Sequence, residues 1–161
     1  MDEGNKILVV KDDLSDGNIV RLLQLHRQEM LKHSPAKNVH ALDVHQLYSD
    51  QIQFWSAWVD GGGHRNFAGC GGLKDLGGGH GELKSMKTAD RFLRRGVAQS
   101  LLTHILDSAQ KRGFQKVSLE TGTQLPFHAA HQLYLRNGFR VCDPFADYTQ
   151  SDISTCMTKE L

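Results

Sequence analysis

The sequence predicts an α/β (α+β) domain, with a mixed, mostly antiparallel sheet of about six to seven strands flanked by about four helices. Three observations carry that expectation. Short β-branched and aromatic runs such as "IQFWSAWV" are separated by glycine-rich turns, "DGGGHRN" and "LGGGHG", of the kind that close hairpins. Two later segments show apolar residues at helical spacing instead. Read in order, the elements run β–α–α–β–β–β–α–β–α–β–β. The chain of 161 residues is long enough for one domain with a real core and too short for two comfortable ones. Residues 1–161 are therefore read as a single domain without repeat, low-complexity tract or linker.

"KILVV" (Lys6 to Val10) reads as a short buried strand. Ser15 or Asp16 can cap a helix in which Ile19, Leu22, Leu23 and Met30 recur at helical spacing. "KHSPAKN" breaks it, and "ALDVHQLY" suggests a short second helix. Ile52 to Val59 is aromatic and apolar on both faces, which points to a central strand. "FAGCGGL" is its hairpin partner, and "ELKSMKT" (Glu82 to Thr88) makes a third antiparallel strand. In the following helix Leu101, Leu102, Ile105, Leu106 and Ala109 form one stripe, closed by "KRG". "KVSLET" is a strand. Pro126 starts another helix carrying Ala130, Leu133 and Tyr134, which Asn137–Gly138 ends. "FRVC" and "ISTCMTKEL" finish as strands.

Composition excludes several functions. With 39% apolar and 23% charged residues the chain is an ordinary soluble protein. A formal net charge of +1 argues against a nucleic-acid binder that works by bulk electrostatics. No run of about 18 apolar residues suggests a membrane span, and the acidic start "MDEGNKILVV" is too short in its apolar part for a signal peptide. Cys70, Cys142 and Cys156 are odd in number and lack CxxC spacing, as expected of a cytoplasmic protein with reduced thiols.

The stretch "RFLRRGVAQSLL" (Arg91 to Leu102) places arginines and a glycine ahead of the clearest helix. A helix start leaves backbone N–H groups unpartnered and carries partial positive charge, so it suits an anion such as a phosphate. It is not a Walker A loop, because no Gly-Lys-Ser/Thr end exists. Nor is it a dinucleotide fingerprint, because a hairpin precedes it and the turn holds one glycine. Taken alone, "RRGVA" serves equally well as a solvated basic turn in which Gly96 supplies backbone freedom.

The context narrows this. A hairpin strand, the "RRGVA" turn, an amphipathic helix, a strand and a helix ending "LYLRNGF" together resemble the GNAT superfamily of acetyl-CoA-dependent N-acetyltransferases, over roughly Phe67 to Phe139. The chain looks especially like a small bacterial subgroup with segments of the "FWSAW", "LETG" and "PFADY" type, here Phe54–Trp58, Leu119–Gly122 and Pro144–Tyr148. The resemblance implies a single GNAT-like domain that moves an acetyl group from acetyl-CoA to an amine of a small molecule or protein, without metal. It leaves a homodimer open. It also has departures. The family turn begins with Gln or Arg where this chain has Leu93, and the asparagine expected three residues before Ala130 is Phe127.

What the resemblance implies for the site is specific. Met86, Lys87 and Thr88 should pair their main chain with the pantetheine arm, and Arg94, Arg95, Gly96, Val97, Ala98 and Gln99 should wrap the pyrophosphate. The same residues have plainer readings, as solvated arginines and a core methionine. An alkylamine with a pKa near ~10 must lose a proton before it attacks, and a departing thiolate must be stabilised. Glu82 is the candidate base; strand alternation places it with Lys84 and Met86, and its plainer reading is an exposed strand glutamate paired with Lys84 or a cross-strand neighbour. Tyr134 resembles the family tyrosine that protonates the thiolate, and by periodicity alone it belongs to the apolar stripe of its helix. His128 and His131 lack the carboxylate of a metal motif; Trp55, Trp58 and Glu120 lie on strands that can border the acceptor pocket, with core packing the better reading of the tryptophans. The rival reading is a catalytically silent CoA-binding module that acts through a protein partner.

Overall fold

The computed structural model describes residues 6–33 and 44–161. Its elements are β1 (Ile7–Asp12), α1 (Asn18–His33), α2 (Val44–Leu47), β2 (Ile52–Gly61), β3 (His64–Asp75), β4 (His80–Thr88), α3 (Val97–Lys111), β5 (Lys116–Gly122), α4 (His128–Arg136), β6 (Arg140–Cys142) and β7 (Ser154–Glu160). The strands form one sheet in the order β1-β2-β3-β4-β5-β7-β6. β1–β2, β5–β7 and β6–β7 pair antiparallel, whereas β4–β5 pair in parallel, over His80–Glu82. The parallel pair follows from the helical crossover between those strands, since a tight turn joins only antiparallel neighbours. The expected mixed sheet and four helices are therefore present. Of "KHSPAKN", Lys32 and His33 still belong to α1, while the rest of it and the first three residues of "ALDVHQLY" lie outside the described residues.

By packing, the chain divides into two compact units, Met1–Leu73 with Ser85–Ile105, and Lys74–Lys84 with Leu106–Leu161; β4 and α3 each contribute to both.

In the first unit, α1 opens after an Asx turn in which the Asp16 carboxylate accepts the amide of Asn18 at 2.9 Å, and Gly17, whose carbonyl accepts the amide of Arg21 at 3.0 Å, holds the N-cap place. Its Ile19 and Leu23 are buried with Leu14, Leu47, Phe54 and Cys70 in one cluster. β2 has four consecutive buried residues, Phe54 to Ala57, as a strand covered on both faces must. It is an inner strand between β1 and β3, although the order places it second from an edge rather than at the centre.

In the second unit, α3 ends in a Schellman-type cap: Gly113 has φ 86° and the amide of Phe114 reaches back to the carbonyl of Ala109 at 3.0 Å. Val117 and Leu119 of β5 are buried with Met157 of β7, the cross-strand partner of Leu119. Pro126 sits in a 3-10 turn, so α4 begins two residues later than the proline suggested. Asn137 and Gly138 end α4 as expected, with Gly138 at φ 90°.

Candidate active site

The predicted cofactor residues lie in the first unit. β3 carries Gly69 where the end of β4 comes closest: a Cβ there would sit 2.6 Å from the carbonyl oxygen of Lys87, 3.2 Å from Cα of Thr88 and 3.3 Å from Cγ1 of Val97. The absent side chain thus brings the last residues of β4 and the first residue of α3 to one point. The amide of Ala89 bonds the carbonyl of Ala68 at 2.8 Å, holding the strand end there. Ser85 has φ 58°, a left-handed conformation inside a strand. That residue interrupts the two-residue alternation, so Met86 does not simply continue the face of Glu82 and Lys84. The Met86 sulfur lies over Gly71, beside Ile105.

Between β4 and α3 the chain makes a 3-10 turn, Asp90–Phe92, anchored by the buried ring of Phe92. The guanidinium of Arg91 lies 4.7 Å and that of Arg95 5.5 Å from the ring centroid, so both cations stack on a fixed aromatic platform. Arg94 and Gly96 take left-handed φ values of 61° and 84°. α3 then starts at Val97 with no acidic residue in its first turn, and the amide of Ser100 is the one that bonds back to Gly96, at 3.0 Å. The amides of Val97, Ala98 and Gln99 precede the first intrahelical donor, the amide of Ser100, so they have no acceptor within the helix, the arrangement that suits an anion. The side chain of Val97 is buried, so it contributes main chain only. Leu93, the departure from the family turn, is half exposed. Farther back, burial lowers the pKa of His26 to about 4, with the charge of Lys87 acting in the same direction.

The predicted catalytic residues lie in the second unit. Glu82 is buried at 3% exposure, which corrects the expectation of an exposed strand glutamate. The expected pairing is present: Lys84 Nζ lies 3.1 Å from Glu82 Oε2. The same oxygen accepts a 2.6 Å hydrogen bond from the hydroxyl of Tyr148, and that hydroxyl accepts one from Lys84 at 3.0 Å. Glu82, Lys84 and Tyr148 therefore form a closed three-membered cluster. Tyr148 was not singled out for chemistry by sequence, although it ends the "PFADY" segment. Its aim depends on a turn with Ala146 at φ 50° and an amide bond from Tyr148 to the carbonyl of Phe145 at 3.0 Å. Burial, then the charge and hydrogen bond of Glu82, hold the phenol of Tyr148 far above its ordinary range.

Next to this cluster, Ser118 faces Glu82 across the parallel pairing. Its hydroxyl is 2.7 Å from His80 Nε2 and 2.8 Å from the hydroxyl of Thr158. Burial and Lys116 lower the pKa of His80. These three residues line a cleft of about 670 Å³ with Lys116, Arg140 and Phe145. Tyr134 is buried on α4, edge-on to Phe139 with ring centroids 5.7 Å apart, and burial raises its pKa well above the ordinary phenol range. Phe127, the second departure, lies against Gly122 of β5, whose missing side chain leaves room for the ring. Among the described residues no group of three or more His, Cys, Asp or Glu is arranged to hold a metal, and no helix is long and apolar enough to cross a membrane.

Comparison with known proteins shows the family. The family model described as "Acetyltransferase (GNAT) family" matches residues 19–139, well over half of the chain. The uncharacterized N-acetyltransferase YsnE of Bacillus subtilis is 45% identical over 150 residues, which span 93% of this chain and 97% of the relative. The uncharacterized N-acetyltransferase YedL of Escherichia coli is 51% identical over 137 residues, or 85% and 84% of the two chains. Among solved structures, a GNAT family acetyltransferase from Elizabethkingia anophelis with acetyl-CoA bound superimposes with a TM-score of 0.68 at 18% identity, covering 96% of this chain and 98% of the other. The chain belongs to the GNAT family of acetyltransferases and is an N-acetyltransferase.

Proposed function

We propose that Glu82 takes the proton of the acceptor amine, that Tyr134 meets the departing thiolate, and that Met86, Lys87, Thr88 and Arg94–Gln99 hold acetyl-CoA, residues 1–161 acting as one catalytic domain. The observation that carries the reading is the state of Glu82. Its carboxylate is buried, and both of its hydrogen bonds fall on Oε2. Oε1 has no hydrogen-bond partner among the described residues. A carboxylate with one oxygen anchored and the other open is oriented for proton transfer.

The donor residues fit the cosubstrate. Acetyl-CoA supplies an activated thioester, and its pyrophosphate matches the amides of Val97, Ala98 and Gln99 and the guanidinium groups stacked on Phe92. Among the described residues Gly96 has only Ile7 Cδ1, at 3.9 Å, near the place of its missing Cβ, so the backbone is open to close approach. Met86–Thr88 lie beyond the stretch of β4 paired with β5, which leaves their main chain suited to an extended ligand. A buried tyrosine with a raised pKa is a poor full proton donor to a thiolate of pKa near ~8.5. Tyr134 therefore acts as a hydrogen-bond donor to developing charge rather than by early proton release. A cytoplasmic location belongs to the proposal, supported by three free cysteines. An acceptor that is not nucleic acid completes it, supported by a formal net charge of +1.

The test is thiol release from acetyl-CoA with a panel of tyramine, spermidine, L-lysine and L-methionine. Glu82→Gln should slow the best acceptor by about 10²- to 10⁴-fold at low pH, with the defect shrinking as the amine deprotonates by itself. Tyr134→Phe should lower kcat more than it weakens acetyl-CoA binding. An equal Glu82→Gln defect at every pH would assign Glu82 to holding the acceptor or the strand.

A further inference from the structure

We propose that Tyr148 is a positioning residue of this acetyltransferase: its hydroxyl, with Lys84, fixes Oε2 of Glu82 so that Oε1 is presented to the acceptor amine. The proposal rests on the assignment of Glu82 as the base and adds a residue far from it in sequence.

A glutamate has three side-chain torsions, and an unanchored carboxylate at the end of them samples several rotamers. A base that contributes to rate must stand within about 2.6–3.2 Å of the proton it removes. Orientation is therefore a requirement, and the partners of Glu82 meet it. Tyr148 donates at 2.6 Å, a short charge-assisted bond, and Lys84 donates at 3.1 Å to the same oxygen. Lys84 also donates to Tyr148 at 3.0 Å, so each member of the triangle fixes the other two. The arrangement fills Oε2 and leaves Oε1.

The ring of Tyr148 is itself held. Phe145 packs against it with centroids 5.1 Å apart, and Phe145 in turn contacts His80 at 5.6 Å. The Lys84 ammonium stands 5.6 Å from the ring centroid of Tyr148. The charged or titratable groups acting on the phenol include Glu82, Lys84, Glu120 and Cys156. The two carboxylates and the buried setting keep it protonated, so it stays a donor throughout the working range of the enzyme. A residue that served only to fill space would not need a hydroxyl aimed at the base.

The experiment is a double-mutant cycle on the intact chain, read as kcat and KM for the fastest acceptor of the panel above and as KM for acetyl-CoA. Tyr148→Phe keeps the ring and its packing on Phe145 and removes only the oxygen. In the otherwise native chain it should lower kcat by about tenfold or more, the worth of one charge-assisted bond, with KM for acetyl-CoA within about twofold. In the Glu82→Gln background it should lower kcat no further, because no base remains to be positioned. Equal fold-losses in both backgrounds would show that the hydroxyl supports the fold rather than the base, and would overturn the proposal. An unchanged kcat for Tyr148→Phe would overturn it as well. If Glu82→Gln alone leaves kcat unchanged at low pH, the assignment of the base fails, and the positioning role fails with it. If Glu82→Gln is slow and Tyr148→Phe is not, only the positioning role fails. The thermal midpoint of each variant separates loss of folded protein from loss of rate.

Discussion

Replacing Lys84 by methionine isolates the energetics of the Glu82 cluster without any need for an acceptor. The side chains of Lys84 and Glu82 are 11% and 4% exposed and 3.1 Å apart. At an effective dielectric constant of about 20, two unit charges at that separation attract by about 5 kcal/mol. Lys84→Met removes that attraction but not the hydrogen bond from Tyr148, which still steadies the carboxylate. Removing one partner of a buried pair typically costs about 3–5 kcal/mol, because the other charge is left without compensation. With Tyr148 retained, the lower end applies, about 3 kcal/mol. For a domain of this size that corresponds to a fall in Tm of about 6–12 °C. Urea unfolding followed by circular dichroism measures it directly. The double variant Glu82→Gln/Lys84→Met should recover more than half of the loss, since the stranded charge is gone. A single-variant loss under about 1 kcal/mol, or a double variant that is merely additive, would refute the reasoning and place the pair in effective contact with water.

Two further outcomes follow from the first unit. Gly96→Val forces a β-branched residue to φ 84°, and should abolish most of the thermal shift produced by acetyl-CoA, measured by scanning fluorimetry; an unchanged shift would remove this turn from the binding site. His26 is held neutral by burial, with its pKa lowered from 6.5 to about 4, so the unfolded chain binds its proton first as pH falls. Its contribution is complete above pH 6.5 and lost as pH falls toward 4. Discounted for partial exposure, that loss is about 1–2 kcal/mol, and it should be missing from the pH–stability curve of His26→Gln.

Much of this protein was legible in its sequence because the signals are local. The apolar stripe of α3, the turn glycines and the Asn137–Gly138 stop are decided by residues within one or two turns of each other, and each stands where the pattern placed it. The left-handed Gly96 ahead of α3 is of the same kind: helix geometry alone leaves the next amides open, whatever the rest of the fold does. The pairing of Glu82 with Lys84 was also within reach, since alternate strand residues share a face.

The tertiary structure decided what depends on distant chain segments. Whether Glu82 is exposed or buried is set by the strands beside it, beginning with Ser118, its partner 36 positions later across the parallel pairing. Tyr148 stands 66 residues from Glu82, on a turn bent by a left-handed alanine, and no periodicity links the two. The break at Ser85, which separates the face of Glu82 from that of Met86, carries no glycine or proline to announce it. Alternation and helical spacing encode which residues lie on one element; which elements then meet is settled by packing, and in this acetyltransferase packing anchored one oxygen of the proposed base through a residue 66 positions away.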